Sequence, residues 1–176
     1  MGSGKVVSLH LHPVEPGAAL SPVDVIYVLE GKGIQGNHRK FGLLSKRTGK
    51  PAKRQVSLIE REQLAEHSLA LGHSSFAPGD VRSNIETEGI NLVEHVGRRV
   101  QIGGAILFLY EPRKPCHKMD DLVPGLRERM ENNRQGVMAE VVQSGEIRVG
   151  DTIRNAGILP AARQCISTSQ VPIPPR

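Results

Sequence analysis

The chain of 176 residues has no tryptophan, two tyrosines and three phenylalanines. So few flat rings leave little with which to stack unpaired bases, which argues against a nucleic-acid-binding module. There are two cysteines, Cys116 and Cys165, and neither belongs to a Cys-x-x-Cys pair, so neither a disulfide framework nor a structural zinc site is expected. No His-Glu-x-x-His motif and no pair of carboxylates at ligand spacing is present, which disfavours hydrolytic zinc chemistry. No apolar run approaches the roughly 20 residues that cross a bilayer. The opening MGSGKVVSLHLHPVEPG lacks the apolar core of a signal peptide. The expectation is a cytoplasmic protein without a membrane partner.

The length suits one domain with a substantial core. Gly 19 and Pro 12 point to many turns and short strands. The net charge of +5 is concentrated in residues 37–54, NHRKFGLLSKRTGKPAKR, which hold seven Lys/Arg and no acidic residue. Without that segment the chain has 16 basic against 18 acidic residues, so the protein is nearly neutral with one loop that suits anions.

Alternating or apolar runs predict strands at 5–11 (KVVSLHL), 23–31 (VDVIYVLEG), 55–59 (QVSLI) and 81–90 (VRSNIETEGI). Gly103-Gly104 between RRVQI and AILFLYE predicts a hairpin over 98–111, and 137–154 reads as two further strands. EREQLAEHSLALG (60–72) predicts a helix with an apolar face of Leu64, Leu69 and Leu71, ended by Gly72. On that helix His67 reads as a surface residue. A short helix is expected in LVPGLRERMENN (122–133), and residues 156–176 read as a loose tail. The fold class is therefore a β-rich α+β domain over residues 1–155, a small closed or partly closed β-barrel with two or three helices.

Residues 111–120, EPRKPCHKMD, place Cys116 among Arg113, Lys114, His117 and Lys118. Neighbouring cations favour the thiolate, which is the nucleophile and the metal ligand. The alternative is an inert cysteine in a solvated basic turn, and residue types alone do not separate the two. The basic loop, with Gly31, Gly33 and Gly36 before it, resembles an anion-binding device without matching the Walker phosphate loop. His38 lies in that stretch. Arg82 and Asn84 are expected on one face of the 81–90 strand as a polar pair for a ligand. Composition and spacing carry the reading no further than an accessible cysteine, a basic loop and a phosphate-bearing ligand.

GIQGNHR (33–39), RQVSLIEREQL (54–64), GDVRSNI (79–85), EPRKPCHK (111–118) and GEIRVGD (145–151) together resemble the MOSC domain, in order and over about residues 5–155. That domain forms the C-terminal part of molybdenum-cofactor sulfurases and also occurs as small stand-alone proteins. The resemblance implies a β-barrel in which Cys116 has one of two roles. As a thiolate it would ligate molybdenum of a pterin cofactor, in a protein that reduces N-hydroxylated compounds with electrons from a partner reductase. Alternatively it would carry sulfur as a persulfide received from a pyridoxal-phosphate-dependent cysteine desulfurase. The resemblance also implies that Arg54, Ser57, Arg82 and Asn84 surround the cofactor, and His38, Arg113 and Lys114, from the segments already singled out, are expected to join them. One departure stands out: Asn37 occupies the place of an expected aspartate, which keeps a hydrogen-bond acceptor and loses a charge.

Overall fold

The computed structural model describes residues 3–38 and 40–157. Cys165 and nearly all of the 156–176 segment lie outside the described residues. Eleven strands and three helices follow in order: β1 (Gly4–Leu11), β2 (Ser21–Val23), β3 (Val25–Leu29), β4 (Gly33–Ile34), β5 (Val56–Glu60), α1 (Arg61–Leu71), β6 (Ile85–Glu88), β7 (Arg98–Ile102), β8 (Ala105–Pro112), α2 (Lys118–Leu122), α3 (Leu126–Arg129), β9 (Val137–Gln143), β10 (Gly145–Arg148) and β11 (Thr152–Asn155).

The main sheet runs β11-β7-β8-β9-β5-β6-β1, and an additional β11–β1 pairing closes it into a seven-stranded barrel; β2 extends from β1. Closure rests on Gly4 opposite Ile153 and Lys5 opposite Thr152. The barrel is mixed, because β5 and β6 are parallel while their neighbours are antiparallel. Parallel neighbours need a crossover connection, and α1 supplies it. A small outer sheet of β10, β3 and β4 completes the strands.

Alternation explains the core. Val56 and Leu58 of β5 face a barrel interior shared with Val6, Leu9, Ile85, Val100, Leu107 and Ile153. Ile59, on the other face of β5, joins a second cluster with Leu64, Phe76, Val81, Met119, Leu126 and Met130. Both faces of β5 are thus covered, which accounts for its uninterrupted burial.

Four local expectations change. The 81–90 strand shortens to Ile85–Glu88, and Arg82 lies in the preceding turn with φ 59°. Asp80 Oδ2 accepts the Ala77 N–H at 2.7 Å and the Asp80 N–H donates to the Ala77 carbonyl at 3.2 Å, a reciprocal closure of a turn ahead of the strand. The helix expected over 122–133 is reduced to α3, and a separate helix, α2, ends just before it at Leu122, with Val123 extended between them (φ −146°, ψ 122°). Pro124 follows Val123, and the residue before a proline is driven out of the helical region. On α1 the buried face is Leu64, His67 and Ser68, while Leu69 is 85% exposed. His67 is therefore interior, because the Arg134 carbonyl meets its Nε2 at 2.8 Å. The 137–154 stretch holds three strands rather than two, since β10 leaves β9 to pair with β3.

Candidate functional site

The chain following β1 and β8 and the chain preceding β5 and β6 surround a cavity of about 600 Å³. Six cationic side chains line it: Lys40, Arg54, Arg82, Arg113, Lys114 and Lys118. His12, Gln135 and Cys116 complete its polar lining, with Leu43, Ala52, Met119 and Met138 as the apolar part. No carboxylate lines it among the described residues. Such an enclosure suits a small anionic ligand with an apolar body.

Cys116 is an exposed free thiol in the segment between β8 and α2. That segment is fixed at both ends. Arg113 N–H donates to the Gly136 carbonyl at 2.9 Å, and the Cys116 carbonyl accepts the Met119 N–H at 3.0 Å. Met119, 3% exposed, plugs into the second core. The cysteine is thus accessible while its backbone is anchored.

Arg113 lies behind it. One guanidinium N–H donates to Ser83 Oγ at 2.6 Å. Burial lowers its pKa to about 10, the nearby Arg54 charge lowers it too, and the electrostatic influence of Cys116 acts in the opposite sense. The group remains cationic at neutral pH. Two like-charged guanidinium groups lining one cavity make a bound counter-anion favourable there.

Ser57 and Asn84 do not line the cavity; they form the wall behind it. Asn84 Oδ1 accepts the Ser57 N–H at 3.2 Å and the Ser57 hydroxyl at 3.0 Å, and its Nδ2 donates to the His10 carbonyl at 3.1 Å. Asn37, fully buried, accepts the His12 N–H through Oδ1 at 2.8 Å and lies 3.1 Å from His12 Nδ1. His10 Nδ1 sits 3.0 Å from the Ser83 carbonyl. The expected Arg82–Asn84 pair on one strand face is not formed. Arg82 turns toward the cavity with a guanidinium N–H on the Ala18 carbonyl at 2.9 Å, and Asn84 points into the wall.

Of the residues singled out from the sequence, the fold brings Arg54, Arg82, Arg113, Lys114 and Cys116 to one cavity, with Ser57 and Asn84 behind it. His38 is exposed and is not among the lining residues. His12 and Gln135 belong to the lining without having been singled out, whereas Lys40 comes from the basic loop and Lys118 from the cations around Cys116. The signal for His12 was a His-x-His pair ending the first strand, which puts both rings on one face. Gln135 carried no sequence signal.

No helix of the described residues is long and apolar enough to cross a membrane, and none of their His, Cys, Asp and Glu side chains cluster as a ready-made metal site. A profile described as the MOSC domain matches residues 34–154. A search of curated proteins finds no match. Among solved structures, YuaD of Bacillus subtilis superposes with a TM-score of 0.71 at 20% identity, covering 87% of this chain and 97% of that one. YiiM of Geobacillus stearothermophilus superposes with a TM-score of 0.64 at 18% identity, covering 86% and 74%. YiiM of Escherichia coli gives 0.62 at 17%, covering 88% and 69%. Likeness at such identities speaks for the fold, and the profile match speaks for the family. With a closed barrel, a cysteine at the end of one of its strands and a matching profile over most of its length, this chain belongs to the MOSC domain family.

Proposed function

We propose that the cavity binds a molybdenum cofactor of the molybdopterin type, with Cys116 as the ligand to the metal. The observation that carries this reading is the sharing of one cavity by an exposed thiol and six cationic side chains. Arg54, Arg82, Arg113 and the three lysines suit a phosphate-bearing group, and a thiolate is a soft ligand suited to a soft metal centre. Gln135 adds a buried Oε1 with no hydrogen-bond partner, an acceptor for an N–H edge. The residues present therefore fit the group. When bound it would supply two-electron redox chemistry at the metal. The chain's own part is to hold the thiol at the cavity, neutralise the phosphate and exclude bulk water from the apolar floor of Met119 and Met138.

The activity this reading supports is reduction of N-hydroxylated compounds, with electrons from a partner reductase. The test is molybdenum content per chain after expression in a cofactor-competent host, wild type against Cys116→Ser. Stoichiometric metal in the wild type and its loss in the variant support the reading; background metal in both sinks it.

The exposure of Cys116 also favours a second reading, a persulfide carrier fed by a cysteine desulfurase. In that case intact-mass analysis after incubation with a desulfurase and cysteine shows the gain of one sulfur atom on Cys116. An unmodified thiol under those conditions rejects it.

A further inference from the structure

Two glutamates are buried on the neighbouring parallel strands β5 and β6, and their surroundings differ. Glu86 is fully buried with both carboxylate oxygens met by the chain. Its Oε1 accepts the Gly79 N–H at 2.8 Å, and its Oε2 accepts the Ser8 hydroxyl at 3.1 Å and an Arg61 N–H at 3.0 Å. Glu60 is 3% exposed. Its Oε1 accepts the Leu92 N–H at 2.7 Å, but its Oε2 is buried without a partner. Leaving a buried carboxylate oxygen without a donor is unfavourable, and natural proteins rarely do so. Burial raises the Glu60 pKa; the Leu92 N–H acts in the opposite sense, and the Glu62 charge adds to the rise.

Glu60 forms part of the wall of a second cavity, of about 330 Å³, with Glu62, Gln63 and Glu66 of α1 and with Ile90, Asn91 and Arg134. None of these residues lines the cationic cavity. Glu62 Oε1 accepts the Gly89 N–H at 2.7 Å, and Glu66 pairs with Arg134 at 2.5 Å. Arg134 is the one cation among these lining residues, and it pairs with Glu66, so Glu60 and Glu62 face the cavity with no cationic partner in its lining. The carboxylates do not converge into a three-ligand metal cluster. A compact ion is therefore a poor match, whereas a cation with N–H groups spread over several bonds suits both the spacing and the volume.

We propose that this second cavity binds a small organic cation, an alkylguanidinium or alkylammonium, with Glu60 as the buried anchor and Glu62 as the second carboxylate. The unpartnered Glu60 Oε2 would accept an N–H from the ligand, as Glu86 Oε2 accepts one from Arg61. The apolar Ile90 side chain would cover part of an alkyl stem.

The Leu92 and Gly89 amides, hydrogen-bonded to Glu60 and Glu62, are built-in reporters. The test is titration of the full chain with agmatine, and separately with N-acetylarginine amide, followed by amide chemical shifts. The expected result is saturable shifts of both amides in the wild type and roughly tenfold weaker binding in Glu60→Gln. Glutamine keeps a side-chain oxygen for the Leu92 N–H, so the variant retains that contact and the reporter. Tighter binding of agmatine identifies a free guanidine as the ligand, and tighter binding of the capped arginine a peptide-borne one. No saturable shift with either probe, equal affinity in Glu60→Gln, or preference for Mg²⁺ over both overturns the proposal.

Discussion

The wall and the rim of the cationic cavity are both polar, but they are built in different ways. Behind the cavity, His10, Asn37, Ser57, Ser83 and Asn84 are buried and bonded to one another or to backbone. At the rim, Lys114, Cys116 and Lys118 are exposed on the chain between β8 and β9. The wall is part of the folded state, and loss of any member strands the partners of that member. The rim holds charge and a thiol in solvent, where single contacts add little to stability. Shape therefore resides in one layer and ligand chemistry in the other.

The largest effects are expected at the β5–β9 junction beside the wall and then in the wall itself. Gly136 has φ 70°, and a Cβ there would lie 2.0 Å from the Leu58 carbonyl oxygen. Gly136→Ala is expected to destabilise by about 4 kcal/mol, read from denaturant unfolding. A loss below about 1 kcal/mol would mean that this junction between β5 and β9 yields readily. Asn84→Ala leaves the Ser57 N–H and hydroxyl without their acceptor, and about 3 kcal/mol, or roughly 10 °C in melting temperature, is expected to go with it. If Asn84→Ala melts like the wild type, the wall is not the structural layer described here.

His67 sharpens the comparison from outside the cavity. It is buried with a backbone partner, as the wall residues are, and burial lowers its pKa from the ordinary 6.5. Below that ordinary value the unfolded chain takes up a proton that the folded chain refuses, so stability falls as pH drops toward the lowered value. The slope reaches at most about 1.4 kcal/mol per pH unit. His67→Gln, which keeps a donor for Arg134, should flatten the dependence as pH falls below about 6.5 in urea unfolding. An unchanged slope would assign the acid sensitivity to other groups.

The smallest effects on stability belong to the rim. Cys116→Ser and Lys118→Ala are each expected within about 0.5 kcal/mol of the wild type. Both are nonetheless expected to weaken capture of an anionic cofactor, and Lys118→Ala, by removing a charge, also to make that capture less sensitive to salt. A rim variant that unfolds the protein would erase the distinction between the layers.

How much of this was legible in the sequence follows the same division. The Gly103-Gly104 hairpin and the alternation in QVSLI are local signals, and both strands of the hairpin and β5 appear where they were expected. The cations of the rim cluster in the sequence, so Cys116, Arg113 and Lys114 could be singled out together. The wall was less visible because its partners are far apart in the chain. Asn84 meets Ser57 across 27 residues and His10 across 74, and His67 meets Arg134 across 67. A polar residue whose partner comes from a distant strand looks like a surface residue until the strands are paired. Asn37 shows the same limit: its departure from the expected aspartate could be noted, but not that its oxygen holds the end of β1.

The closing pair of the barrel, β1 with β11, joins residues from opposite ends of the described chain. During vectorial synthesis the first strand leaves the ribosome long before the strand that will cover its edge. Until Thr152 and Ile153 emerge, β7 presents an unpaired edge and β1 one that β2 covers only at Leu9–Leu11, so an arrested or truncated chain exposes cross-strand surface that seeds aggregation. Once β11 arrives, entry and exit of the chain lie side by side. A barrel sealed this way can be spliced into a longer polypeptide as a single inserted unit, without displacing the cavity at its loops.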